Sequence, residues 1–343
     1  QQRIERVKLT AFDGAANDQF GGSLTIDRGT LVVGAPNANA PGADSGAAYV
    51  FRLSAGSWNF TTKLTAAGGQ AGDRFGRYLD LDGDVLAVSA PERPQVPAPG
   101  EGAVYVYRQQ PSGWAAEGFL EIPVQFTGVT FGHSVDVDGT RIIVGEFGGG
   151  KLSGGRIFEL GASGWAHADD LFPVTGQAVY GFGYDVALEG SLAAVGAPTA
   201  PFATWYTPTN PGRQGAGYLF VQQPSTTSNG GWAGYSSLFD VARSVGHSVA
   251  LSGRRAAYGA PYSESARGTI VIQEIDGAVG EVFCHCSTDI ACDNGNNTRG
   301  MAGCRNSTGI GAELRGQGTS SVLRRDLTLS VSAAPPGAPL FLV

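Results

Sequence analysis

The residues here best equipped for chemistry are few and lie far apart in the chain. Cys284, Cys286, Cys292 and Cys304 fall within one 21-residue window, with His285 among them in "CHCSTDIAC". A Cys3His zinc site would use those atoms, but structural zinc wants ligands paired two to four residues apart, with a second pair beyond. Cys-x-Cys without a second pair fits that badly, so the window reads as two local disulfides made in an oxidising compartment. "GHSVD" (132–136) and "GHSVA" (246–250) hold the Gly-x-Ser of a nucleophile elbow, yet lack its closing glycine and the strand-to-helix turn that exposes the serine. His133 and His247 share a register with Gly22, Arg77 and Tyr184, which reads as a position that tolerates any side chain. His167 follows Trp165 and reads as solvated. Asp80, Asp82 and Asp84 are the one acidic cluster with a metal-like look, and a solvated turn accounts for them. "DNGNN" (293–297) lacks the spacing of a calcium loop. A carboxylate pair for glycoside chemistry could be assembled from distant segments, but the sequence names no such pair. No catalytic residue, metal or cofactor is expected.

Composition narrows the partners. Of 343 residues, 42% are apolar, enough to bury a substantial core. The 53 glycines, against a charged fraction of only 15%, suit short strands joined by many turns. Three of the 23 basic residues are lysine and the formal net charge is -7, so no basic stripe exists to neutralise phosphates and nucleic acid is not an expected partner. No apolar run reaches the ~20 residues that a membrane helix needs.

The elements that must position any site repeat. Phe-Gly or its equivalent occurs at Phe20-Gly21, Phe75-Gly76, Phe131-Gly132, Phe182-Gly183 and, degenerated, Val245-Gly246. Thirteen residues after each glycine stand Gly34 of "GAP", Ser89 of "SAP", Gly145 of "GEF", Gly196 of "GAP" and Gly259 of "GAP". Trp58, Trp114, Trp165 and Trp232 each precede by six residues a leucine: Leu64, Leu120, Leu171 and Leu238. Within a unit, segments such as "SLTID", "TLVVGAP", "GAAYVFRL" and "SWNFTTKLTA" alternate with period two between Gly, Asp and Pro, predicting four strands. A four-stranded unit cannot bury both faces alone, so neighbours must stack, and the closed solution is a β-propeller. The expected fold is all-β: a five-bladed propeller over residues 1–283, followed by a small disulfide-containing β module over 284–343. Leu9 precedes Phe20 by eleven residues, as Leu64 precedes Phe75. Residues 3–11 are therefore expected to supply the fourth strand of the last blade beside residues 268–275 and so close the ring. "VGEVF" (279–283) is the rival for that place.

The pair "FG" then "GAP", in five in-register copies over residues 3 to about 280, resembles the FG-GAP repeat of integrin alpha-subunit heads and of many secreted bacterial proteins. The resemblance implies an extracellular propeller that adheres or binds rather than reacts. Two features depart from it. The integrin head has seven blades where five are visible here, and the thirteen residues from Phe-Gly to GAP leave only a tight turn, with no room for a calcium loop between the first two strands.

By the same analogy, the loops between second and third strands would carry a ligand. The longest, "TAPFATWYTPTNPGRQ", offers Phe202, Trp205, Tyr206 and Arg213, residue types that binding hot spots favour. The chain ends on "PLFLV", an apolar strand that could pair with a further copy of the protein. The resulting expectation is a secreted or cell-surface, non-enzymatic propeller for adhesion, protein interaction or self-assembly. A carbohydrate-binding or carbohydrate-processing module is the alternative.

Overall fold

The computed structural model describes residues 7–40, 42–94, 101–121, 129–148, 153–173, 179, 181–199, 214–223, 231–262, 268–275, 302–305, 311–317 and 328–332. The chain divides into two compact units, residues 1–280 and 281–343. Among the described residues every regular element is a strand.

The first unit is a succession of antiparallel meanders. Blade 1 comprises β1 (Ser23–Asp27), β2 (Thr30–Ala35), β3 (Ala47–Ser54) and β4 (Ser57–Leu64). Blade 2 comprises β5 (Leu79–Asp82), β6 (Val85–Pro94), β7 (Glu101–Gln110) and β8 (Gly113–Leu120). Blade 3 comprises β9 (Val129–Asp138), β10 (Arg141–Gly148), β11 (Gly154–Gly161) and β12 (Gly164–Leu171), and a parallel bridge from Thr130 of β9 to Glu101 of β7 joins it to blade 2 in one eight-stranded sheet. Blade 4 comprises β13 (Val186–Glu189), β14 (Leu192–Ala197), β15 (Gln214–Gln222) and β16 (Trp232–Arg243). Blade 5 has three described strands, β17 (Ser248–Ser252), β18 (Arg255–Ala260) and β19 (Thr269–Glu274). Second strands such as "LAAVGA" are buried along their whole length, because a neighbouring blade covers each face. Fourth strands such as "SWNFTTKL" are largely exposed and tolerate polar residues.

The Phe-Gly and GAP markers are the two halves of one joint between consecutive blades. Phe75, Phe131, Phe182 and Val245 are fully buried at the entry of blades 2 to 5. The glycine that follows turns the chain at positive φ: 86° at Gly76, 81° at Gly132, 82° at Gly183 and 85° at Gly246. The first residue of GAP in the preceding blade lies against that turn. A Cβ on Gly34 would overlap the carbonyl oxygen of Gly76, one on Gly145 that of Gly183, and one on Gly196 that of Gly246. Blade 2 carries Ser89 at this position, 3.2 Å from where a Cβ of Gly132 would stand, and its hydroxyl accepts the Tyr78 N–H at 3.0 Å.

A ladder of carboxylates crosses the same joints. The acid that ends each first strand accepts the backbone N–H of the turn glycine one blade on: Asp27 from Gly83 at 2.8 Å, Asp82 from Gly139 at 2.8 Å, Asp138 from Gly190 at 2.9 Å and Glu189 from Gly253 at 2.8 Å. Such charge-assisted bonds are about twice as strong as neutral ones. The reading of Asp80, Asp82 and Asp84 as a solvated turn holds for the turn itself, where Asp84 is exposed, but leaves out what the first two acids hold. Asp80 and Asp82 reach into blade 3, and Asp84 pairs with Arg108 at 2.8 Å.

At the ends the pattern changes. Leu9 and Ala11 pack on Val33, Ala35, Tyr49 and Phe51 of blade 1, on the face where the repeat register puts them. Residues 7–11 form no strand, however, and among the described residues β19 pairs only with β18. The expected closure of the ring by the N-terminal segment is therefore not made there: β1 and β19 both expose apolar side chains where interior blades bury theirs. Residues 3–6 and 279–283 lie outside the described residues.

The second unit contains an antiparallel sheet of β20 (Ala302–Arg305), β21 (Gly311–Gln317) and β22 (Thr328–Ser332). Cys304 lies in β20, whereas Cys284, Cys286 and Cys292, like residues 339–343, fall outside the described residues.

Candidate functional site

The residue directly after each joint glycine is held by a fixed turn, so its side chain recurs at the same place in each blade. Those residues are Gly22, Arg77, His133, Tyr184 and His247. Far from being indifferent, this position builds a continuous row of rings across blades 2 to 5. The Arg77 guanidinium stands 5.6 Å from the Tyr78 ring centre. Tyr78 lies 5.2 Å from His133, and His133 lies 4.7 Å from both Phe147 and Tyr184. Tyr184 lies 4.9 Å from His247, which touches Tyr262 at 6.1 Å. Phe147 is there because blade 3 reads "GEF" where its neighbours read "GAP" or "SAP".

Hydrogen bonds orient the row. The Nδ1 of His133 sits 2.8 Å from the Tyr184 carbonyl oxygen, which can only accept, so Nδ1 carries the proton. Burial, seconded by the positive charge of Arg77 and by His247, holds the His133 pKa below its usual value. His133 is therefore neutral at pH 7, and its Nε2 is left as an acceptor. The Tyr184 hydroxyl lies 3.4 Å from Nε2 of His247.

A cleft of about 540 Å³ opens beside the row, lined by Arg77, Tyr78, Glu92, Thr130, His133 and Phe147 among others. Glu92 pairs with Arg74 at 3.1 Å. The cleft thus offers ring surface, a fixed cation, an imidazole acceptor and a hydroxyl within one small concavity.

A second constellation is formed by carboxyls on the first strands. Asp80 accepts from the Thr25 hydroxyl and the Val137 N–H, both at 3.0 Å. Asp136 accepts from the N–H groups of Val137 at 3.1 Å and Leu188 at 2.6 Å, and it shares a hydrogen bond with Asp80. Burial and the neighbouring Asp80 carboxyl push the Asp136 pKa up to about 8. Burial alone pushes that of Asp185 up to about 6, against a bond from the Val249 N–H at 2.7 Å. Each of these acids accepts one backbone N–H of the next blade, from Val137, Leu188 and Val249 respectively, and so staples a joint. Among the described residues no group of three or more His, Cys, Asp or Glu side chains is placed to hold a metal ion.

Phe202, Trp205, Tyr206 and Arg213 lie outside the described residues. The ring row was missed in the sequence because Arg, His and Tyr at one register position look like tolerance. Its signal was the register itself, since equal positions on adjacent blades must touch.

Comparison with known proteins rests on the same joint residues. The FG-GAP repeat family matches residues 4–51 and 58–107. Those two stretches carry FG-GAP repeats. Blades 3 to 5 continue the FG-GAP register beyond the matched stretches. A search of curated proteins finds no match. Among solved structures, a protein assigned as a 6-phosphogluconolactonase from Bacteroides uniformis aligns at 12% identity and a TM-score of 0.48, over 76% of this chain and 69% of that one. A chain of a mitotic checkpoint complex aligns at 15% identity and a TM-score of 0.44, over 74% and 61%. A periplasmic gluconolactonase of Pseudomonas aeruginosa aligns at 15% identity and a TM-score of 0.33, over 76% and 87%. At these values no activity passes from those proteins to this chain.

Proposed function

We propose that this chain is a non-enzymatic recognition propeller that works outside the cell or at its surface, holding a glycan against the ring row and so serving adhesion. The observation that supports this most is the row itself: Tyr78, His133, Phe147, Tyr184 and His247 place half-buried rings along four consecutive blades, beside a cleft of about 540 Å³. Sugar rings present a C–H face that stacks on a π-face and a rim of hydroxyls that needs donors and acceptors. Arg77, Thr130 and the Nε2 of neutral His133 supply that rim. A cleft of this size suits one or two sugar rings better than a flat protein surface. The cysteine window and the FG-GAP repeats support an extracellular setting. Carbohydrate processing is the weaker reading, since the carboxyls with raised pKa, Asp136 and Asp185, are engaged by backbone donors.

The test is a panel of neutral mono- and oligosaccharides titrated calorimetrically into the intact chain. A saturable ligand, recovered chemically unchanged, should bind Tyr184→Ala and Arg77→Ala at least ~10-fold more weakly, the loss of one stacked or charge-assisted contact. Binding that is indifferent to both substitutions, or no binding by any sugar of the panel, sinks the proposal.

A further inference from the structure

The two ends of the blade row are unsatisfied halves of the joint that the interior repeats four times. In strand 3 the residue facing the next blade is Val50, Val106, Ile157 or Leu219, each paired across the ladder with the matching residue of strand 2 and each at most 1% exposed. In blade 5 that position is Ile272, opposite Ala257, and it is 62% exposed. Ile270, opposite Gly259, is 69% exposed where Ala48 and Val104 are fully buried. Among the described residues no following glycine lies against Gly259: the nearest atoms to a Cβ there belong to Ser248 of its own blade.

Blade 1 shows the opposite half. Leu24 and Ile26 stand where Leu79 and Leu81 stand in blade 2, and Val186 and Leu188 in blade 4. Those four are 5 to 8% exposed, whereas Leu24 is 63% and Ile26 59% exposed. Phe20, the first Phe of the repeat, is only partly buried while Phe75, Phe131 and Phe182 are fully so. Since both faces are uncovered within one compact unit, neither end covers the other.

We propose that the occupant of each end is a second copy of this chain, docked head to tail, with blade 5 of one copy meeting blade 1 of the next through the same joint that links blades 1 to 5. The argument is continuity: one chain carries one donor face and one acceptor face, in the register of four joints already made. One rung is missing. At the position of Asp27, Asp82, Asp138 and Glu189 blade 5 has Ser252, so the intermolecular joint lacks the carboxylate that would reach the backbone N–H of Arg28. The joint between copies is accordingly weaker than the joints within one, and assembly is reversible. An interface of this heterologous kind builds a ring if the rotation closes and a filament if it does not.

Sedimentation velocity of the intact chain over a concentration series tests this. The wild type should associate with rising concentration. Ile272→Asp and Leu24→Asp, which put a charge into the joint without disturbing a buried side chain, should each weaken association by at least ~10-fold. An equimolar mixture of the two variants retains one intact half-joint on each partner and should stop at a dimer. Ser252→Asp should tighten association. Far-UV circular dichroism and an unchanged thermal transition verify that each variant folds. A wild type that stays monomeric throughout, as a ring closed within one chain or an end covered by a different protein would leave it, overturns the proposal. So does a mixture of the two variants that fails to pair.

Discussion

Removing one proton from the joint between blades 2 and 3 should be visible in the whole molecule's stability. Asp136 keeps its carboxyl protonated up to about pH 8 in the folded chain because it is buried beside Asp80. In the unfolded chain it ionises near its ordinary value of about 4. A carboxyl with a raised folded pKa contributes stability that is complete below the unfolded pKa and is lost as pH climbs through the folded one. The slope is about 1.4 kcal/mol per pH unit per proton, so Asp136 should cost about 4 kcal/mol between pH 5 and pH 8. That figure is an upper bound, since Asp136 keeps some contact with water. Asp185, with its pKa at about 6, adds a second proton to the slope only between about pH 4 and 6. Replacing Asp136 by Asn keeps a donor toward Asp80 and an acceptor toward the Leu188 N–H but abolishes the titration. Urea unfolding at half-unit pH steps gives the unfolding free energy for both proteins. The difference between the curves should widen with pH above 5, the Asn variant being relatively more stable at pH 8 than at pH 5. Asp13, Glu117 and Asp170, held below the ordinary range by Lys63, Arg108 and Arg156 respectively, act with the opposite sign and below pH 4.5, outside this window. Parallel curves from pH 5 to 8 would mean that Asp136 is ionised in the fold, and the argument that burial beside Asp80 keeps it protonated would be wrong.

Three further outcomes follow from the joint geometry. Gly196→Ala drives a methyl into the Gly246 carbonyl and should destabilise by about 3 kcal/mol or more in urea unfolding, a cost of backbone displacement in a packed core. Gly118→Ala, where a Cβ meets nothing within 4 Å, should be neutral or stabilising by about 0.5 kcal/mol and serves as its control. Arg156→Met leaves Glu146 buried without its partners at 2.8 Å and should cost about 3 to 5 kcal/mol, partly recovered by adding Glu146→Gln.

The repeat was legible because its markers sit thirteen residues apart and the joint tolerates little else at either one. Phe75 and Gly34 are conspicuous since a smaller residue in place of the fully buried Phe75 would leave a cavity, and any side chain at Gly34 would meet the Gly76 carbonyl. The carboxylate rungs were not legible in the same way. Asp82 and the Gly139 N–H that it holds are 57 residues apart, and Asp-Gly before a hairpin already has a sufficient local explanation. The ring row was hidden for a related reason: its members differ in type, and only adjacency between blades turns Arg77, His133, Tyr184 and His247 into one surface. Closure by residues 3–11 depends on whether accumulated rotation brings blade 5 back to blade 1. No residue encodes that sum; it emerges from small angles at four joints.

That sum also separates a repeat that folds from a repeat that is satisfied. The Phe-Gly half of each marker pair belongs to one blade and the GAP half works against the next, so five successive pairs specify four complete joints between them and leave one half over on either side. The count balances for any number of blades, and the two surplus halves always match each other. A closed ring spends them internally. Here Ile272 at one end and Leu24 at the other remain in water, together with Ile270 and Ile26, each at a position whose counterpart in at least two interior blades is buried. Burying one such side chain is worth about 1.5 to 3 kcal/mol, so the unspent halves amount to a substantial driving force for association that the interior joints have already shown how to use.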